Sequence, residues 1–158
     1  MSEMREKLVH YFNVGSKTTP SWVMLGDGIT SLTEELNPES ESKQYINQSS
    51  GTSQIKSYAP QISVEREYIS DTLQTWINEK IKTLPVGSEA SAEYVRVNLM
   101  ESSTSGVYPA VKYDCSYQFD SIGGEAGNPL MTNMTLGAKG DPKQGHFNVT
   151  SGSEAWTD

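Results

Sequence analysis

His10, His146 and Cys115 hold all the imidazole and thiol chemistry in this chain of 158 residues. A Cys or Ser nucleophile needs a base placed beside it in space, and Cys115 with His146 is the pairing to consider. Cys115, however, lies on the apolar side of an alternating run, where a small core residue in a reducing compartment explains it without a partner. Neither histidine stands at metal-ligand spacing from another His, a Cys or a carboxylate pair, so both read as ordinary surface or edge residues. Gly26-Asp27-Gly28 lacks the repeated Asp or Asn and the distal Glu of a calcium loop and reads as a tight turn. Gly137-Ala-Lys-Gly140 lacks the P-loop spacing and its following Ser or Thr.

Two clusters remain. Glu34, Glu35, Glu39 and Glu41 surround Pro38 and could bind a cation, but a solvated, self-repelling loop face is the preferred account. Trp22, Tyr45, Tyr58 and Tyr68 fit a sugar-binding groove, a core or a subunit contact, because aromatic side chains are enriched in each. The residues alone leave those three open, so a β-sandwich glycan-binding or adhesin module stands as the alternative function. No residue set points to an enzyme, a cofactor or a metal.

Leu, Ile, Val and Phe make up 30 of the 158 residues, just under the roughly 20% below which disorder becomes a concern. Eight Tyr, three Trp and a net charge of only −8 argue for a folded chain with a thin core. Neighbouring subunits can supply the missing burial. The pI near 4.7 and scattered Lys and Arg argue against a protein that grips nucleic acid. No window approaches the ~18 apolar residues of a membrane span, and the N-terminus lacks a signal-peptide core, so synthesis in the cytosol is expected.

The elements that would position these residues are mostly strands. Over 107–120, Val111, Tyr113, Cys115, Tyr117 and Phe119 alternate with Lys112, Asp114, Ser116, Gln118 and Asp120, giving one buried and one wet face. Val95, Val97 and Leu99 alternate with Tyr94, Arg96 and Asn98, and the turn-rich connection 101–106 makes the two runs a hairpin. Leu130, Thr132, Met134 and Leu136 form another alternating face. Phe147 and Val149 mark a short late strand, and 23–25, 29–32, 43–47 and 55–68 are further strands. Over 70–84, Leu73, Trp76, Ile77 and Ile81 share a helical face while Gln74, Asn78, Glu79 and Lys82 face away. Asp71 and Gln74 have capping-box spacing, and Pro85 and Gly87 stop the helix. A single domain over 1–158 is expected, with mobile ends at 1–20 and 151–158, unless Trp156 docks on a neighbour, and a long polar loop at 48–54.

The string Trp22-Val-Met-Leu-Gly-Asp-Gly-Ile-Thr-Ser-Leu-Thr-Glu-Glu-Leu-Asn-Pro-Glu39, then Gln44-Tyr-Ile-Asn47, Ser57-Tyr-Ala-Pro60, the helix, Val86-Gly-Ser-Glu89 and Tyr94-Val-Arg-Val-Asn98 follow one another in an order that resembles the major tail tube proteins of phages with long non-contractile tails infecting Gram-positive bacteria. The resemblance covers roughly residues 22–140. No single motif is diagnostic; the ordered set carries the resemblance.

It implies a mainly β fold, an antiparallel β-sandwich or partly closed barrel with one flanking α-helix at about 70–83. It also implies subunits that form six-membered rings, stacked into a virion tail tube whose channel delivers the genome. The implied partners are further copies of the chain and the tail-tip, tape-measure and tail-terminator proteins, with viral DNA passing through unbound and no membrane contact. Under this reading Trp22, Tyr45, Ile46, Gln48, Ser49, Ser50, Gly51, Thr52, Ser53 and Tyr58 are the candidate subunit or ring interface, with 48–54 ordering between subunits. Asp114, Gln118 and Asp120 are the candidate lumen residues, since an acidic wall repels phosphates and lets DNA slide; the strands within 43–68 are the alternative inner sheet.

Overall fold

A computed structural model describes residues 3–101, 105–152 and 154–156; the expected connection at 101–106 and tail at 151–158 fall partly outside them. The expected β fold with one helix forms. Strand β1 (Leu8–Asn13) pairs with β2 (Trp22–Met24) on one edge and with β7 (Ser91–Asn98) on the other. The sheet continues through β8 (Val107–Gly123), β9 (Met131–Ala138) and β6 (Gln61–Glu67) to β3 (Ile29–Glu35), every pairing antiparallel. β2 and β3 end the order unpaired with each other, so the sheet curls into a partly closed sandwich and not a closed barrel.

The spine is β8, 17 residues long. Its one edge takes β7. Its other edge takes β10 (Lys143–Asn148) along 107–112 and β9 along 115–123, so the sheet forks between Lys112 and Cys115. β10 carries the short β11 (Glu154–Trp156). Each branch of the fork covers one face, which creates two apolar clusters. Phe12, Ile62, Tyr94, Tyr113, Cys115, Tyr117 and Leu136 fill the larger one, while Tyr11, Val95, Val97, Ala110 and Phe147 fill the smaller.

The helix α1 (Thr72–Thr83) packs Leu73, Trp76 and Ile77 into the larger cluster, with Trp76 edge-on to Phe12 and Tyr117 at centroid distances of 4.9 and 4.8 Å. The Asp71 side chain accepts from the Gln74 amide at 2.9 Å, the N-cap that the spacing predicts. Leu84 ends the helix in the left-handed region at φ 48°, immediately before Pro85.

Several expectations are corrected. Within 1–20, β1 is an interior strand whose last four residues are buried; it escapes a period-2 reading because both of its faces are covered. For the same reason Tyr94 is as buried as Val95, and His10 is a buried residue and not a surface one. Gln74 does not face away from the core but lies inside it. The strand expected at 43–47 lies earlier, as β4 (Pro38–Lys43), and 55–68 breaks into β5 (Thr52–Tyr58) and β6. The break falls at Pro60, which has no N–H to give to a ladder. Trp156 docks on its own chain: at Gly145 an added Cβ would collide with the Ala155 carbonyl oxygen, so only glycine lets β11 approach.

Candidate assembly surface

The hairpin of β4 and β5 stands apart from the main sheet as its own two-stranded sheet. Its root is set at Asn37, which takes φ 46° and donates from Nδ2 to the Ala59 carbonyl at 3.0 Å, while the Ala59 amide donates to Leu36 O at 3.1 Å. Asn tolerates this left-handed geometry better than most side chains. At the tip, Gln48 closes the turn from both sides: its amide donates to Tyr45 O at 3.0 Å and its Oε1 accepts from the Tyr45 amide at 2.9 Å. The expected 48–54 loop is thus corrected to 44–51, with Thr52, Ser53 and Gln54 in β5.

All thirteen residues of the two strands are exposed. Tyr45, Ile55 and Tyr58 are more than half exposed and Ile46 is wholly so. The ion pairs Lys43–Glu41 and Lys56–Glu39, each 3.9 Å, lie in water and hold little. An isolated two-stranded hairpin is marginal in water, so the chain presents an arm with no packing of its own. Its strand edges are unpaired main-chain donors and acceptors, which invite another strand.

The other expected site residues divide. Trp22 is partly buried in the smaller cluster, edge-on to Phe147 at 5.7 Å, and Tyr68 accepts from Asn78 of the helix at 2.9 Å. With Tyr45 at the hairpin tip and Tyr58 at its root, the four aromatics sit in four separate places and do not line one groove. Gln118 and Asp120 are exposed and joined by a 2.8 Å hydrogen bond, and Asp120 also accepts from Thr135. Asp114 pairs with Lys17 at 3.1 Å near the fork. Below it the same face of β8 is not wet: Lys112 is largely buried, tied to Glu93 at 3.2 Å and Glu154 at 3.4 Å, with its ammonium 5.2 Å from the Trp156 ring centroid.

The residues that could do chemistry are structural here. Burial, then the charges of Asp114 and Glu34, pushes the Cys115 thiol up to about 12. His146 is exposed and pairs across to Pro109, six residues along β8 from Cys115, or roughly 20 Å. His10 bonds to Tyr94 Oη and lies 2.9 Å from an Arg5 guanidinium nitrogen; burial, then Arg5 and Arg96, lowers its pKa to about 4. Glu34 faces inward, against the expectation of a solvated acidic face, and pairs with Arg96 while accepting from Tyr113 at 3.3 Å. Composition hid this network, because it joins three distant stretches of the chain: Arg5 with His10, Glu34, and Arg96. Gly26-Asp27-Gly28 is the expected turn, closed by the Ile29 amide on Gly26 O at 3.0 Å. Among the described residues no three His, Cys, Asp or Glu converge on a possible metal site, and no helix is long and apolar enough to cross a membrane.

No protein-family model matches the chain, and no curated protein matches it. Solved structures do. A chain in the tail of an empty GTA particle, refined helically with C6 symmetry, superposes with TM-score 0.62 at 9% identity, covering 89% of this chain and 97% of that one. A chain in the cryo-EM structure of the anti-feeding prophage (AFP) baseplate, sixfold symmetrised, superposes with TM-score 0.53 at 12% identity, covering 91% of this chain and 95% of that one. Across nearly its whole length, this chain therefore has a fold that also occurs in a C6-symmetric tail and in a sixfold baseplate.

Proposed function

We propose that this chain is a structural component of a phage or phage-like tail, in which six copies form a ring and the rings stack into a tube. The observation that carries the reading is a fold shared over 97% of a chain from a C6-symmetric tail. The hairpin arm supports it, since thirteen exposed strand residues gain burial only from another molecule. In the assembled virion the tube is the channel for genome delivery. Subunits are made in the cytoplasm of the host, a Gram-positive bacterium in the reading that the sequence favours, and meet tail-tip, tape-measure and tail-terminator proteins during assembly.

Tyr45, Ile46, Gln48, Ser49, Ser50, Gly51, Thr52, Ser53 and Tyr58 then belong to the subunit or ring interface, with Trp22 at its margin. Asp114, Gln118 and Asp120 face the lumen, where negative charge keeps DNA from sticking. The role is mechanical and needs no catalytic group or cofactor.

Negative-stain micrographs of the concentrated purified protein, alone and with its tail-tip complex as nucleus, test this. Rings or hollow tubes with sixfold end views are expected. A small species that never assembles under either condition refutes the reading.

A further inference from the structure

The sheet fails to close, because β2 covers only the second half of β1; between the first half of β1 and β3 lies a cleft of about 660 Å³, with Met24 and Leu25 at one end, whose apolar lining includes Met4, Leu8, Met24, Leu25, Ile29 and Leu32. Met4 and Met24 are 68% and 53% exposed. No strand pairs across the cleft; Arg5 spans it, donating to Leu8 O at 2.8 Å and to Leu32 O at 3.0 Å. The same chain carries an apolar knob that nothing covers: Ile46, wholly exposed, beside Tyr45 at 63%. Strands of six and seven residues place this tip roughly 20 Å beyond the hairpin root. The full exposure of Ile46 means that the tip does not fold back onto its own cleft.

We propose that the Tyr45–Ile46 tip of one copy seats in the β1/β3 cleft of a second copy. The proposal rests on the ring reading above and names the receiving site. A ring generated by rotation needs two different patches that fit one another, one on each side of the subunit, and the knob and the cleft are such a pair. Charge allows it. Within 38–58, Glu39 and Glu41 are balanced by Lys43 and Lys56, and in the cleft Arg5 is balanced by Glu6. The surplus of −8 therefore lies elsewhere and does not oppose the contact.

The exposed parts of Tyr45 and Ile46 amount to roughly 300 Å² at typical side-chain areas, well below the ~800 Å² per partner of a stable pair. One such contact leaves free subunits monomeric, while a closed ring holds six of them together.

Cross-linking tests the pairing directly. Ile46→Cys and Met24→Cys proteins are mixed near millimolar concentration and treated with a short bis-maleimide, with Ile46→Cys plus Glu79→Cys, on the exposed helix face, as control. Cys115, buried with its thiol at about 12, stays silent. A 46–24 heterodimer from the mixture, and a ladder up to six from a variant carrying both Ile46→Cys and Met24→Cys, are expected. Equal linking to position 79 overturns the proposal, as do rings visible in micrographs without a 46–24 link; in the latter case the ring reading survives. Absence of both rings and link overturns both. Ile46→Asp should raise the concentration needed for rings about tenfold or more while leaving the monomer Tm unchanged, and an unchanged assembly threshold also overturns the proposal.

Discussion

The Arg66 guanidinium donates from Nε to the Gln74 side-chain carbonyl at 3.2 Å, and both side chains are 1% exposed. The same guanidinium reaches Asp71 at 2.5 Å and Asp27 O at 3.3 Å. One buried cation thus binds β6 to the helix N-terminus and to the turn between β2 and β3. Replacing Gln74 by Ala leaves Nε unpaired in the core, where an unsatisfied group costs about 1–3 kcal/mol. Arg66→Ala should cost more, because it removes the bonds to Gln74, Asp71 and Asp27 together and leaves a cavity in the core. Urea midpoints of the two variants check the order.

Acid should weaken the fold in a defined window. His10 stays neutral in the folded chain down to about pH 4, because burial and the charges of Arg5 and Arg96 disfavour the imidazolium. The unfolded chain takes up that proton near pH 6.5. The unfolded state therefore binds more protons between the two values, and stability falls as pH drops from about 6.5 to about 4, by about 3 kcal/mol in all. His10→Gln should flatten this part of the profile in urea titrations from pH 7 to pH 4.

Asp71 acts at lower pH. Burial raises its carboxyl, but the Arg66 hydrogen bond, the Gln74 amide and the Arg66 charge outweigh that and bring it below 3.8. Its contribution is complete above the unfolded value and is lost as pH falls through the folded one. In wild type, helix signal should drop further below about pH 4; in Asp71→Asn this additional acid step should be absent.

Gly145→Ala should unseat the C-terminal strand, since the new Cβ meets backbone that cannot move aside cheaply. A cost of about 1–3 kcal/mol is expected for such overpacking, with Trp156 fluorescence shifting to the red at pH 7. Unchanged fluorescence would show that β11 does not lie over Gly145.

Charge reversal at Asp114 and Asp120 of β8 separates friction from assembly. Asp114→Lys with Asp120→Lys should leave tubes intact and slow DNA release, because lysines at the wall attract phosphates. Unchanged ejection kinetics would remove both residues from the lumen.

What the chain reveals before folding depends on how many faces of an element are covered. The helix, with Asp71 as cap and Leu73, Trp76 and Ile77 inward, was readable because one face packs and the other is mostly wet. The larger-cluster side of β8 was readable for the same reason through Val111, Tyr113, Cys115 and Tyr117. β1 is harder, since Tyr11 and Phe12 point opposite ways into two clusters and erase the period of two, whereas β7 keeps its alternation and hides only that Tyr94, on its other face, is buried too. β4 was misplaced because Pro-Glu-Ser-Glu-Ser-Lys has no apolar residue to alternate. The arm's candidate residues were largely visible as a polar stretch with no chemistry, but their cleft was not: Leu8, Met24 and Leu32 come together only through the curl of the sheet.

The two-sided strand β1 has a kinetic cost. His10 and Tyr94, which bond to each other, are 84 positions apart, so an early strand waits for partners made much later. Closing so long a loop must precede the contacts that reward it. Both clusters require β1, which supplies Phe12 to one and Tyr11 to the other. Neither can therefore be completed before the long closure, and refolding should be slow and close to all-or-none.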